Sequence, residues 1–257
     1  MPVTDLALLT QAARKSGQIA AGYFGQGPEI WEKADGAGPV TAADLAVNTM
    51  LHQTLQAARP DYGWLSEETE DTDARLGTQA QFVIDPIDGT RAFIAGTKDW
   101  AHSLAIVHAG QVTTAAVYLP MRDMMFTAAL GQGAFLNGAP IKALANTDMA
   151  LATILTHKAN CHKKHWKDGI FPQTNIAFRS SLAYRLCLVA QGRFDAMITL
   201  RPTWEWDVAA GTLILSEAGG VATTQTGRPI RFNNPHPQLD GLIGAGGLHG
   251  TLMAHLA

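Results

Sequence analysis

Phe82-Val83-Ile84-Asp85-Pro86-Ile87-Asp88-Gly89-Thr90 is the stretch on which the reading of this 257-residue chain turns. Phe82 to Ile84 predict a short buried strand, so the two aspartates emerge at its C-terminal edge and not on an open surface. Charges placed there need partners. A divalent cation makes the best use of two fixed carboxylates, and Gly89 and Thr90 predict the opening of a helix whose unpaired N–H groups can hold a phosphate. Read alone, the segment Asp85 to Thr90 is equally satisfied by ordinary turn chemistry.

Working outward, short apolar runs at Tyr62–Leu65, Phe82–Ile84, Ser103–His108, Val112–Leu119 and Met124–Ala129 predict strands. Turns at Gly110-Gln111 and Met121-Arg122-Asp123 separate them, and the hairpin succession implies an antiparallel sheet. Toward the N-terminus, Leu6, Leu9, Ala13, Ala20 and Tyr23 recur at helical spacing and predict a helix over 4–24. A second helix starts at Thr41, whose hydroxyl caps it while Asp44 reaches back. Toward the C-terminus the pattern alternates: a strand near Leu151–Leu155, a helix from Ser181 to Gln191, a strand at Ala196–Leu200, a helix from Asp207 to Glu217, strands near Gly220–Ala222 and Leu242–Gly244, and a terminal helix. Such alternation implies a sheet covered by helices. The change of pattern puts a subdomain boundary between residues 138 and 150, giving an N-terminal α+β unit, 1–140, and a C-terminal α/β unit, 141–257.

Composition narrows the function. With 47% hydrophobic residues, 16% charged residues and a formal charge of −3, nothing marks a binder of nucleic-acid polymers. Cys161 and Cys187 are isolated, which argues against a disulfide framework or a cysteine zinc site and fits a reducing cytoplasm. No apolar run reaches membrane-spanning length, and the N-terminus lacks the basic and apolar regions of a signal peptide. A cytoplasmic protein with no membrane partner is expected.

Three acidic sites share one kind of setting, where an apolar element ends or begins. Glu67 and Glu68 follow Tyr62–Ser66, Asp85 and Asp88 follow Phe82–Ile84, and Asp207 lies in Trp204-Glu205-Trp206-Asp207-Val208-Ala209-Ala210-Gly211. Brought together, these carboxylates repel one another, and hard divalent cations with oxygen ligands relieve the repulsion. Taken singly, Glu67 and Glu68 also read as solvated charges, and Asp207 as a charge favouring a helix N-terminus.

The pair DPIDGT (85–90) and WDVAAG (206–211), with SEE (66–68) and VTAAD (40–44) upstream, resembles the inositol monophosphatase superfamily of magnesium-dependent, lithium-sensitive phosphatases. The resemblance implies an α+β fold, a layered αβαβα sandwich of two close-packed, sugar-phosphatase-like subdomains. It implies two or three Mg²⁺ ions held by Glu67, Asp85, the Ile87 carbonyl, Asp88 and Asp207. It makes Thr90, backed by Asp44, the group that orients the attacking water, and it adds Glu67 and Asp88 to the catalytic set. The Gly89 and Thr90 amides then bind the phosphate. Ser66 departs from the family's usual glycine without removing a ligand.

Within the superfamily, Pro202-Thr203-Trp204-Glu205-Trp206-Asp207 and Asp88-Gly89-Thr90-Arg91-Ala92-Phe93-Ile94 are similar to the 3'(2'),5'-bisphosphate nucleotidase branch. Animal-type inositol monophosphatases place an inositol-contacting glutamate where this chain has Leu200. The resemblance therefore implies hydrolysis of the 3'-phosphate of 3'-phosphoadenosine 5'-phosphate to AMP and phosphate by a metal-activated water. Two alternatives stay open: a phosphatase for inositol 1-phosphate or another small sugar or alcohol phosphate, and an inactive binding protein that kept the fold. Asp207, His157, Lys158, Ser181 and Arg185 are the candidates for substrate contacts beyond Gly89 and Thr90, although the basic stretch Lys158–His165 also reads as a solvated loop. Homodimers are common in the superfamily, so the expected partners are a small phosphorylated substrate and, as one option, a second copy of the chain.

Overall fold

The computed structural model describes residues 3–33 and 38–257. Helix α1 (Asp5–Tyr23) is capped by the Thr4 hydroxyl, which accepts from Ala7 N. A two-stranded hairpin, β1 (Ile30–Glu32) and β2 (Pro39–Thr41), leads into α2 (Ala42–Ala58). At that helix start Asp44 N donates to the Thr41 hydroxyl and Thr41 N donates to the Asp44 carboxylate, the reciprocal capping box that the sequence predicts.

The first sheet contains β3 (Gly63–Ser66), β4 (Ala80–Asp88), β5 (Ala101–His108), β6 (Gln111–Leu119), β7 (Met124–Ala129), β8 (Ala134–Leu136) and β9 (Ala139–Pro140), in that spatial order. The short helix α3 (Thr90–Ile94) lies between β4 and β5. The succession of hairpins is antiparallel from β4 to β9, but β3 runs parallel to β4. This departure from a wholly antiparallel sheet matters, because it sends the C-terminal ends of β3 and β4 to the same edge.

The second sheet contains β10 (Thr153–Thr156), β11 (Asn175–Ala177), β12 (Ala196–Thr199), β14 (Val221–Thr223) and β16 (Leu242–Ala245), ordered β11-β10-β12-β16-β14. The first three strands in that order are parallel, and the last two pairings are antiparallel. Between the strands come α4 (Leu182–Ala190) and α5 (Glu205–Glu217), with α6 (His249–His255) at the end. A small ribbon pairs β13 (Thr203–Trp204) with β15 (Gln238–Leu239).

Packing stacks these elements as helix, sheet, helix, sheet, helix, the layered α+β sandwich that the resemblance implies. Leu9, Ala13, Val47 and Leu51 of α1 and α2 pack on Phe82, Ile84, Leu104 and Ile106 of the first sheet. The opposite face of that sheet, through Val83, Ala105 and Val117, shares one core with Leu186 and Val189 of α4, Ala209 and Ile214 of α5, and Leu155 and Met197 of the second sheet. Ile154, Ile198 and Ile243 face outward from the second sheet onto Leu248 and Leu252 near α6. In the middle layer α4 and α5 approach closely: a Cβ at Gly211 would stand 2.7 Å from Leu186 Cβ. The small residues of the WDVAAG segment thus serve helix packing as well as the site that begins at its aspartate.

Candidate active site

The C-terminal ends of two parallel strand sets meet over one cavity of about 610 Å³. Glu67 follows β3, and Asp85 and Asp88 close β4. Asp207, the third residue of α5, completes the acidic floor; Ser103 of β5, paired in register with Asp85, donates to the Trp206 carbonyl at 3.0 Å and ties that helix start to the sheet. Carboxylate oxygens of Glu67, Asp85 and Asp207 all lie within 4.8 Å of one another.

Asp85 is the informative member of this group. It is wholly buried, and neither of its oxygens meets a hydrogen-bond donor among the described residues. An ionised carboxylate without a donor is costly in the interior, so the position calls for a positive partner. An all-oxygen donor set of this kind fits a hard cation such as Mg²⁺. Asp88 stands beside the cluster with its oxygens already engaged: Ser181 Oγ and Ala183 N donate to Oδ2 at 2.6 and 2.7 Å, and Leu182 N donates to Oδ1 at 3.2 Å.

Thr90 opens α3 behind Gly89, whose φ of 99° and close approach to the Asp99 carbonyl (3.2 Å from where a Cβ would stand) require glycine. The Thr90 hydroxyl lies within donating distance of Asp44 Oδ1 at 3.3 Å and of the Ile87 carbonyl at 3.1 Å. Asp44 therefore divides its carboxylate, one oxygen capping α2 and the other facing Thr90. Capping and support of the hydroxyl coexist in one residue.

The sequence alignable with known proteins covers almost the whole chain. The model of the inositol monophosphatase family matches residues 2–257. The chain belongs to the inositol monophosphatase family. It is 33% identical over 236 residues to an inositol-1-monophosphatase of Rhizobium meliloti strain 1021, covering 86% of each chain. It is 34% identical to the Nus factor SuhB of Escherichia coli K12, covering 88% of this chain and 86% of that one. Among solved structures, the extragenic suppressor protein suhB of Bartonella henselae superposes with a TM-score of 0.82 at 28% identity, covering 96% of this chain and 95% of that one. The Thermotoga maritima IMPase gives 0.81 at 27% identity, covering 96% and 94%. Metal binding is typical of the family, and the cluster of Glu67, Asp85 and Asp207 is a group that could hold a metal ion.

Electrostatics agree with a site built for added positive charge. Burial, then the charges of Glu67, Asp88 and Asp207, holds the Asp85 carboxyl well above the ordinary range. Asp207 opens partly to the cavity but is hemmed in by protein, and this desolvation with the Asp88 and Glu67 charges raises it well above as well. Burial pushes Asp88 up to about 6 against the hydrogen bonds of Ser181, Ala183 and Leu182, and pushes Asp44 up to about 6 against those of Thr41. Burial and the Glu67 charge bring Glu68 up to about 7.

Lys33, which the motif reading passed over, donates to Glu67 Oε1 and Glu68 Oε1, both at 2.6 Å. Burial alone would lower its ammonium, yet these two carboxylates carry it above the usual lysine value. Ser66, in place of the usual glycine, donates to Asn48 Oδ1 at 2.8 Å and fastens the Glu67 loop to α2.

The predicted substrate contacts divide. Arg185 and His157 line the cavity, with Gly89, Thr90 and Asp207. Arg185 is buried, donates through Nε to the Arg179 carbonyl at 2.6 Å, and stacks over the Phe178 ring at 4.5 Å; burial pulls it down to about 10 against the Asp88 charge. Lys158 is exposed and is not among the cavity-lining residues, because the turn that begins at His157 carries it outward. Ser181 is buried with its hydroxyl on Asp88, so it supports that carboxylate and does not line the cavity.

Arg91, Arg201 and Phe178 line the cavity without having been singled out in the sequence. Arg91 lies inside the Asp88–Ile94 stretch but was given no role there, and Arg201 and Phe178 are common residue types in no motif; only folding brings the three to one cavity. Glu205, the glutamate of the PTWEWD stretch, lies elsewhere. It is fully buried and accepts from Asn233 N, Asn234 N and Asn234 Nδ2 at 2.6 to 3.0 Å. That motif glutamate latches the 233–234 loop and does not line the cavity.

Proposed function

We propose that this phosphatase hydrolyses a small phosphomonoester that carries a second anionic group, with the 3'-phosphate of a nucleoside 3',5'-bisphosphate such as 3'-phosphoadenosine 5'-phosphate as the substrate. The observation that carries the reading is the division of the cavity between an oxygen-only acidic floor and a wall bearing Arg185 and Arg201. The floor suits the scissile phosphate through Mg²⁺, the wall suits a second anion, and Phe178, 47% exposed with His157 edge-on at 5.8 Å, offers a face for a planar base.

Glu67, Asp85 and Asp207 would hold Mg²⁺, with Asp88 and the Ile87 carbonyl completing the set. Bound there, Mg²⁺ would supply positive charge to offset the phosphate oxygens and would lower the pKa of a water, so that its deprotonated form is available to attack phosphorus. Thr90 Oγ1, donating its own proton toward Asp44, presents a lone pair that accepts from that water and fixes its direction. The Gly89 and Thr90 amides at the start of α3 orient the non-bridging oxygens. Asp88 is itself oriented by Ser181 and the first amides of α4.

A second reading is an inositol phosphate as substrate, favoured by the Rhizobium meliloti relative named inositol-1-monophosphatase. Leu200 weighs against it, since it supplies no carboxylate to a polyol where animal-type enzymes have one. Release of inorganic phosphate from 3'-phosphoadenosine 5'-phosphate, inositol 1-phosphate and fructose 1,6-bisphosphate, each with Mg²⁺, separates the readings. The nucleotide is expected to give the highest kcat/KM; a preference for inositol 1-phosphate replaces the first reading with the second, and no turnover of any ester leaves a binding protein.

A further inference from the structure

In a regular strand, residues three apart point to opposite faces, so Asp85 and Asp88 could not both serve one cavity. Both line it nonetheless. Pairing between β4 and β5 passes from Asp85 opposite Ser103 to Asp88 opposite Ala101, so Pro86 and Ile87 together stand across from His102 alone. This is a β-bulge, and the extra residue is what returns the second carboxylate to the side of the first.

A bulge leaves backbone groups without ladder partners, and Pro86 has no N–H to offer. His102 fills the gap. Its ring is wholly buried, and Nδ1 donates to the Pro86 carbonyl, which lies in the chain between the two aspartates. Trp100 holds the ring edge-on, with centroids 5.5 Å apart and planes at 82°. The other nitrogen, Nε2, is buried without a partner among the described residues. Leaving a ring nitrogen unsatisfied costs stability, and an apolar side chain of similar size would avoid that cost. The histidine is therefore explained by what its bonded nitrogen does.

We propose that His102 is a positioning residue: by pinning the Pro86 carbonyl it sets the bulge that aims Asp85, Asp88 and the Ile87 carbonyl at one cation. This rests on the Mg²⁺-dependent reading of the site. None of the motifs that carry the family resemblance contains His102, which lies in the strand after the DPIDGT segment.

The test is Mg²⁺ binding by titration calorimetry to the substrate-free enzyme, for the natural protein, His102→Phe and His102→Asn. Phenylalanine keeps an aromatic ring and removes the donor; asparagine places an amide N–H near the position of Nδ1. His102→Phe is expected to bind Mg²⁺ about tenfold or more weakly, as is typical when a supporting hydrogen bond behind a metal ligand is lost, while unfolding in EDTA near the natural temperature. His102→Asn should recover most of the affinity. Natural affinity in His102→Phe, or equal losses in both variants at unchanged stability, overturns the proposal. Failure of the unsubstituted protein to bind Mg²⁺ overturns the metal reading and this one with it. Should His102→Phe not fold, nitrogen-15 spectra of the histidine-labelled natural protein decide: the proton is expected on Nδ1 of His102, and a proton on Nε2 alone refutes the pin.

Discussion

The acidic floor and the cationic wall of the cavity both lie beyond the C-terminal ends of parallel strands, yet they are held very differently. Glu67, Asp85 and Asp88 end β3 and β4, and their surroundings are buried, bulged and cross-bonded through Lys33, Ser181 and the Ser103 link to α5. The wall comes from the ends of β10, β11 and β12, where His157, Phe178 and Arg201 are exposed, and from α4, which contributes the buried Arg185. A floor so constrained preorganises charge for one kind of chemistry. A wall of exposed side chains can change its ligand without disturbing that chemistry, which is how one fold comes to serve several esters.

The largest expected effect breaks the floor. Asp88→Asn keeps the size and one oxygen that can accept from the start of α4, but removes the charge and the second acceptor, and phosphate release should fall by at least about 10²-fold, with circular dichroism unchanged. Near-natural turnover in that variant would remove Asp88 from the catalytic set.

A second, smaller effect concerns stability. In the metal-free protein the raised carboxyls, Asp44 and Asp88 at about 6, Glu68 at about 7, and Asp85 and Asp207 well above the usual range, bind protons more tightly than they do in the unfolded chain. Between about pH 4, the unfolded carboxyl range, and pH 7 the folded state therefore carries more protons, and stability falls as pH rises. Unfolding temperature in EDTA should drop by several degrees from pH 5 to 7.5, and saturating Mg²⁺ should flatten the drop. A rise with pH in EDTA would show that these groups are not held protonated by burial.

The smallest effects sharpen the wall. Arg201→Ala should lower kcat/KM about tenfold for a nucleoside bisphosphate, in line with one charge-assisted hydrogen bond, and leave a simple monoester within about twofold. Lys158→Ala should leave both within about twofold, because its side chain lies outside the cavity. Equal losses in the two variants on the bisphosphate would assign selection to the basic loop instead.

How far each region can be read from sequence follows the same division. Asp85, Asp88, Gly89 and Thr90 are contiguous, and their spacing, turn residues and preceding strand expose the chemistry directly. The Thr41–Asp44 cap and the strand succession were equally legible, being local patterns. Lys33 was not, because its role depends on a carboxylate 34 residues away. Glu205 was legible only in part: within its motif it reads as a marker of substrate branch, and only the structure shows that its buried carboxylate holds the 233–234 loop. Lys158 and Ser181 were placed in the right neighbourhood, but a turn and a hydroxyl rotamer decide which way each faces.

By itself the sequence determined the succession of helices and strands and the acidic segments, which rest on short-range periodicity and turn chemistry, and its short motifs carried the resemblance that implied the family and the layered α+β architecture. The tertiary structure alone decided that β3 runs parallel to β4 and that Arg201 and Phe178 line the cavity, and it supplied the close approach of Asp207 to Glu67 and Asp85 that the resemblance only implied. It also turned a simple aspartate pair into a bulge pinned from the next strand. The reason is physical: a carboxylate's identity is local, but its partners, its desolvation and its direction are set by residues that only folding brings near.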